Sequence, residues 1–364
     1  MTRRRVLLVF GGRSAEHDVS RVTAVAVARA LDPEQYEVVP VAITTDGRWL
    51  VADAAQRQLE EGRSALPPAF AAEGDAATGL GELVTAGRSH EPTSFAVDVV
   101  IPLLHGPYGE DGTVQGMLEL ADLPYVGSGV VGSAVAMDKV MMRRAFAAAG
   151  LVQPRWLELR DGHDRNRFRA RVTELGYPCF VKPSNMGSSV GVSKVHDPGE
   201  LDTAVDHALA FDEWILVEEA IAGREIEVAI LGDDPPEASL PGEIVPSAEF
   251  YTYADKYEDG AAELLIPAPL DDTQRADVQA LATRAFEACR CEAMARVDFF
   301  FEEHGRGFLV NEVNTIPGFT PISMYPRLWE ASGVSYPALL DRLIELALAR
   351  HARRAERAGR QRTP

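Results

Sequence analysis

Arg296, Asp298, Glu312 and Asn314 are the residues whose types and spacing most plainly suit chemistry. Two strand-like runs, 296–301 and 308–313, flank Glu302-Glu303-His304-Gly305-Arg306-Gly307. That spacing predicts an antiparallel hairpin. Side chains alternate along a strand, so Arg296 and Asp298 share one face, and Glu312 and Asn314 share one face. Residue 296 opens the first strand and residue 314 closes the second, so these ends lie side by side. Two carboxylates, an amide and a guanidinium then gather at one end of the hairpin. Oxygen ligands of this kind, incomplete without a phosphate, are what Mg²⁺ uses in nucleotide enzymes. The alternative is a surface Arg–Asp–Glu ion-pair cluster.

A second stretch suits an anion. Cys179-Phe180-Val181-Lys182-Pro183 reads as a strand ending in lysine, and a Gly/Ser loop, 184–191, leads to another strand. The GxxxxGK[ST] pattern of a Walker A loop, opening a helix, is absent. Small residues can still expose backbone N–H groups in a concave anion site, with Lys182 pointing at it. A Gly/Ser hairpin turn is the alternative. His105 follows the strand 96–104 and opens a loop, 105–112, rich in Gly and Pro. It is either a site residue or a structural hydrogen-bonding group. Glu16 and His17 fall where parallel α/β sheets bind ligands, or simply form a polar helix start. Glu218 and Glu219 end the strand 214–221, and Glu225 follows a glycine turn. Glu225 is placed to accept ribose hydroxyls or to form a wet strand face. The aromatic and charged segment 250–260 reads as a loop able to close over a site.

The elements that must carry these groups begin with a buried-type strand at 6–10 and the turn Gly11-Gly12-Arg13-Ser14. A helix with Ala24, Val25, Val27, Ala28 and Leu31 on one stripe follows, then a strand at 36–43. This is βαβ organisation and predicts a parallel α/β sheet. Gly-Gly here is not GxGxxG, so dinucleotide binding has little support. A helix with long loops is expected over 52–92. Further helices are expected at 114–120, 133–149, 200–211, 272–289 and 339–348. Lys139 sits inside the 133–149 helix and reads by default as a solvated lysine. Residues 350–362 hold six arginines and are expected to fray into solvent.

At 364 residues the chain has room for two or three domains. Its 46% hydrophobic and 25% charged content is that of a globular protein. A net charge of −19, from 55 acidic and 36 basic residues, disfavours nucleic acid and anionic membranes. Cys179, Cys289 and Cys291 form no CxxC pair or disulfide framework. No signal peptide or bilayer-spanning run is visible. A reduced, cytoplasmic protein is expected.

Taken together, the motifs resemble those of D-alanine–D-alanine ligases, of the ATP-grasp superfamily. They run in order over nearly the whole chain: Gly11-Gly12-Arg13-Ser14-Ala15-Glu16-His17; His105-Gly106-Pro107-Tyr108-Gly109-Glu110-Asp111-Gly112; Met137-Asp138-Lys139; Val181-Lys182-Pro183 through Gly191; Lys256-Tyr257; Arg296-Val297-Asp298; and Asn311-Glu312-Val313-Asn314-Thr315-Ile316-Pro317-Gly318, followed by Ser323-Met324. Each is weak alone and together they are specific. The resemblance implies a three-domain α/β fold with ATP held between two antiparallel sheets. We place a Rossmann-like N-terminal parallel α/β substrate domain at 1–136, a central ATP-grasp subdomain at 137–223 and a C-terminal one at 224–350, with 351–364 a disordered basic tail.

The resemblance also implies roles. Lys139, Lys182 and Lys256 contact ATP phosphates, which Ser188 and Ser189 cover. The adenine lies along Glu218, Glu219 and Ile221, partly on backbone groups, and Glu225 holds the ribose. Asp298, Glu312 and Asn314 bind two Mg²⁺ (or Mn²⁺) ions. Glu16 holds the ammonium of the first D-alanine, linked with Ser188 and Tyr257, and His105 lies near its carboxyl. Arg296 and the Gly318 backbone face the tetrahedral centre. Ser323 and Met324 receive the second carboxylate. D-alanine–D-lactate ligases of the vancomycin-resistance type generally depart from the Lys-Tyr pattern, so Tyr257 favours D-alanine as second substrate. A homodimer is the assembly implied. Nothing is carried onto 52–92 or the arginine tail.

Overall fold

The computed structural model describes residues 3–61, 97–246 and 263–357. Its first sheet has the order β3-β2-β1-β4, formed by β1 (Arg4–Gly11), β2 (Tyr36–Ile43), β3 (Trp49–Leu50) and β4 (Val99–Leu103). β1 runs parallel to β2 and β4, and β3 is antiparallel to β2. The run 6–10 is apolar at every position because both faces of β1 are covered. Val6, Leu8 and Phe10 pack with α1 (His17–Ala30) and α2 (Ala52–Glu61) on one side. Leu7 and Val9 meet Val114 and Leu118 of α3 (Thr113–Leu120) on the other.

Two antiparallel sheets follow. One has the order β5-β8-β6-β7, from β5 (Trp156–Arg160), β6 (Cys179–Pro183), β7 (Ser193–Val195) and β8 (Trp214–Glu219). α6 (Arg165–Leu175) and α7 (Leu201–Leu209) close one face of it through Phe168, Val172 and Val205. The other has the order β12-β11-β9-β13-β14, with β10 (Glu237–Ala238) beside β9. Its strands are β9 (Arg224–Leu231), β11 (Gly242–Val245), β12 (Glu263–Leu265), β13 (Met294–Glu302) and β14 (Gly307–Asn314). α8 (Asp272–Ala288) covers it with Val278, Ala282 and Phe286 against Val228, Val297 and Phe299. Two antiparallel sheets and a parallel one are the architecture expected, and the first sheet departs from it only at its antiparallel edge strand β3.

Two local expectations are corrected. The helix expected over 133–149 is two, α4 (Val130–Met137) and α5 (Lys139–Ala148). Asp138 breaks it at φ −77°, ψ 104°, accepting from the Met141 N–H at 3.0 Å and from Ser184 Oγ at 2.7 Å. A short carboxylate satisfies the first turn of a new helix better than it continues an old one. The break aims α5 at the Gly/Ser loop, where the Lys139 N–H reaches the Ser184 carbonyl at 3.0 Å.

The basic tail is also corrected at its start. α9 (Met324–Ala331) is followed by α10 (Tyr336–Ala355), which carries residues 351–355 in helix rather than letting them fray. Leu339, Leu343 and Ile344 share a core with Val6, Leu8 and Phe10, so the last helix packs on the first sheet. Arg350 is buried and donates to the carbonyls of Tyr125 and Gly127. Arg354 pairs with Glu292 and Glu119. These partners lie far away in sequence, and none is visible from the composition of the tail.

Candidate active site

A cleft of about 1220 Å³ opens among the three sheets. Every candidate named above that falls within the described residues lines it, except His17. Lys256, Tyr257 and the 250–260 loop lie outside the described residues. His17, weighed beside Glu16, instead holds the Gly12 carbonyl through Nδ1 at 2.8 Å.

The two ends of the hairpin lie side by side as expected, with Arg296 opposite Asn314 and Asp298 opposite Glu312. Arg296 grips Asp298 with two parallel bonds, Nε to Oδ1 at 2.8 Å and Nη2 to Oδ2 at 2.7 Å. Nε also lies 3.1 Å from Glu227 Oε2. Asn314 Nδ2 donates to Asp298 Oδ2 at 3.0 Å. Burial alone would lower the Arg296 pKa; Asp298 and Glu227 outweigh it and keep the guanidinium charged. Alternation alone would set Glu227 with Glu225 on the wet face of a strand. Glu227 is buried because β9 lies inside its sheet beside β13, a placement that alternation alone does not reveal.

This donor set fits a divalent cation shared with phosphate. Two carboxylates stand opposite each other across a strand pair, where like charges repel and call for a cation between them. Among the described residues no three His, Cys, Asp or Glu side chains converge as a self-sufficient metal cage. Asp298, Glu312 and Asn314 would therefore hold Mg²⁺ only together with phosphate oxygens, which is how that ion is held in nucleotide enzymes.

At the first-sheet end, Ser188 Oγ donates to Glu16 Oε1 at 2.5 Å. Ser188 and Ser189 have φ of 48° and 61°, a tight reversal that brings the Gly/Ser loop down onto Glu16. A Cβ at Gly187 would lie 3.3 Å from Glu16 Oε2, a tight contact that glycine avoids where the loop passes the carboxylate. Under the role that the resemblance implies for Glu16, Glu16→Gln is expected to raise the KM for D-alanine roughly 10- to 100-fold, the loss of one charged hydrogen bond. Initial rates at saturating ATP measure it, and an unchanged KM would remove Glu16 from the ammonium site.

His105 Nδ1 lies 3.0 Å from the Ile316 carbonyl, which can only accept, so Nδ1 carries the proton. Burial lowers the pKa and keeps the ring neutral, leaving Nε2 an acceptor. Sequence reasoning quoted Glu110 in a motif and gave it no role. Its carboxyl accepts the Gly106 N–H at 2.7 Å. Burial first, and the Glu16 charge second, push its pKa up to about 8. The folded protein thus holds this proton more tightly than the unfolded chain does. The stability it contributes is full below the ordinary value of 4.5 and is lost as pH rises through about 8. Glu110→Gln is expected to flatten the fall in urea midpoint across that window; an unchanged slope would assign the fall to other groups.

The nucleotide end is built on α5, β6 and β8. Lys139 Nζ donates to the Met186 carbonyl at 2.5 Å, and burial lowers its pKa. Lys182 Nζ pairs with Glu218, whose other oxygen meets Arg143. The Glu219 carboxylate is held by Arg155 and Arg306, so its neighbourhood offers a ligand mainly backbone groups. At the far end Ser323 Oγ accepts the Thr320 N–H at 3.1 Å. A Cβ at Gly318 would come within 3.1 Å of that oxygen.

The comparisons with known proteins point one way. Two family models match, D-ala D-ala ligase N-terminus over residues 5–128 and D-ala D-ala ligase C-terminus over residues 145–345. The D-alanine–D-alanine ligase of Geobacillus kaustophilus is 47% identical over 351 residues, 95% of this chain and 95% of the relative. That of Bacillus pumilus is 46% identical over 350 residues, 94% and 96% of the two chains. The D-alanine–D-alanine ligase structure from Coxiella burnetii superposes with a TM-score of 0.81 at 34% identity, covering 98% of this chain and 97% of that one. The VanG D-Ala:D-Ser ligase from Enterococcus faecalis gives 0.81 at 32%, covering 95% and 100%. With its ATP-grasp architecture, paired family models and near-complete coverage, this chain belongs to the D-alanine–D-alanine ligase family.

Proposed function

We propose that the protein joins two D-alanines into D-alanyl-D-alanine at the expense of ATP, supplying a peptidoglycan precursor. The observation that carries the reading is convergence. One cleft holds the Glu16–Ser188 pair, the Lys139 and Lys182 ammonium groups, and the Arg296–Asp298–Glu312–Asn314 hairpin end.

The carboxylate oxygen of the first D-alanine attacks the γ-phosphorus, the bond to the β-bridging oxygen breaks, and ADP leaves. The amine of the second D-alanine then attacks the acyl carbon, the carbon–oxygen bond to phosphate breaks, and inorganic phosphate departs with one proton lost from nitrogen. The first step brings two anions together, so Lys139 and Lys182 serve by neutralising phosphate charge. Mg²⁺ held by Asp298, Glu312 and Asn314 would supply further charge neutralisation there. The second step builds an oxyanion, for which Arg296 and the Gly318 N–H are the donors. Glu16 with Ser188 binds the first ammonium, and Ser323 and Met324 take the second carboxylate. Glu218, Glu219 and Ile221 border the adenine and Glu225 the ribose. Lys256 is read as a further phosphate contact and Tyr257 as linked with Glu16 and Ser188, roles that rest on the resemblance alone.

We divide the chain at 1–136, 137–223 and 224–350, a sheet to each part. Among the described residues no helix is long and apolar enough to cross a membrane. The working form is a cytoplasmic homodimer; light scattering that returned the 39.5 kDa of one chain would overturn the dimer.

Phosphate release with ATP, Mg²⁺ and D-alanine, beside D-serine and D-lactate as competing acceptors, tests the reading. D-Alanyl-D-alanine as the product by mass is expected. A depsipeptide or a D-serine product would move the second site to another acceptor, and no D-alanine-dependent phosphate would sink the proposal.

A further inference from the structure

Arg143 heads the large, fully buried side chains among the described residues, and no role above uses it. It projects from α5. Nη1 donates to the Val310 carbonyl of β14 at 2.9 Å. Nη2 meets Glu218 Oε2 of β8 and, at 3.3 Å, Asn311 Oδ1 of β14. One guanidinium therefore ties a helix to a strand of each antiparallel sheet flanking the cleft. Burying a charge is costly unless it is paired, and an apolar side chain would fill the space more cheaply. The position calls for a reason that depends on charge.

Counting charges supplies it. Glu218 offers Oε1 to Lys182 and Oε2 to Arg143. A Lys182–Glu218 pair alone would be neutral and would present nothing to an anion. With Arg143 the three groups carry one net positive charge. That charge emerges at Lys182, whose side chain is 17% exposed, against 2% for Arg143 and for Glu218. We propose that Arg143 is a positioning residue for the nucleotide: by occupying the second oxygen of Glu218 it fixes that carboxylate and leaves the Lys182 charge for the polyphosphate. The inference rests on the reading of Lys182 as a phosphate contact. Glu218 stays ionised throughout, since burial alone would raise its pKa but Lys182 and Arg143 together hold it at about 2.

The test is ADP binding to the full-length protein by calorimetry, a readout independent of turnover. Arg143→Met is expected to weaken ADP binding roughly 10- to 100-fold, with a smaller change in the KM for D-alanine. Arg143→Met/Glu218→Gln removes one charge of each sign and restores the net positive unit, so it is expected to recover most of the lost affinity. A purely structural arginine would make the double variant no better than the single one, and that result overturns the proposal. So does an Arg143→Met protein that binds ADP as the wild type does. Should the methionine variant not fold, Arg143→Lys keeps the charge and should bind within about tenfold of wild type; a larger loss overturns the charge argument. Wild-type protein that binds no ADP would sink the functional reading as well, whereas the other failures sink this inference alone.

Discussion

Arg296→Lys is expected to lower kcat by about 10²–10³ while the protein stays folded. The size follows from removing one oriented donor at the point where negative charge develops, about 2.7–4 kcal/mol of transition-state stabilisation. Lysine keeps a positive charge between Asp298 and Glu227, so the buried carboxylates are not stranded. What it loses is the planar fork that engages Asp298 through two parallel bonds and aims the remaining N–H groups. Arg296→Ala would mix this effect with the cost of breaking a buried ion pair, about 3–5 kcal/mol. The reading gives Arg296 its largest role in the second step. The lysine variant should therefore release more ADP than dipeptide, as acyl phosphate falls to water. ADP and D-alanyl-D-alanine quantified in the same reaction decide the point. A kcat within about threefold of wild type would take Arg296 out of the oxyanion site.

Arg350→Met is expected to destabilise the protein by about 3 kcal/mol with little direct effect on chemistry. The guanidinium donates to the Tyr125 and Gly127 carbonyls and lies 4.4 Å from the centre of the Tyr125 ring. Methionine fills the volume but leaves two buried acceptors without donors, at about 1–3 kcal/mol each. For a chain of this length each kcal/mol moves Tm by roughly 1–2 °C, so a fall of about 3–6 °C is expected by calorimetry. A shift below about 2 °C would show that the last helix is held by its Leu339–Leu343–Ile344 face alone.

Much of the fold was legible because it is local. The apolar run 6–10, the alternation on either side of 302–307 and the lysine-ended strand 179–183 each predicted an element that is present. Their periods are properties of the backbone and need no partner to be read. That the two ends of the hairpin lie side by side was legible in the same way, but counting from the turn would set Asp298 opposite Asn311; a register shift between Asp298 and Phe299 sets it opposite Glu312 and Arg296 opposite Asn314. The motifs then named the family, and with it the reaction.

What the tertiary structure alone decided was where charges find partners. Glu227, which alternation alone would leave on a wet strand face, is buried beside Arg296, since the sheet order places β9 against β13. Arg143 and Glu218 are 75 positions apart in sequence, and Arg350 and Gly127 are 223 apart. A run of arginines near the end of a chain looks like a solvated tail until a carbonyl-lined notch is packed against it. Periodicity is a short-range property, whereas the worth of a charge depends on burial and on every charge within a few ångströms, which only the packed sheets bring together.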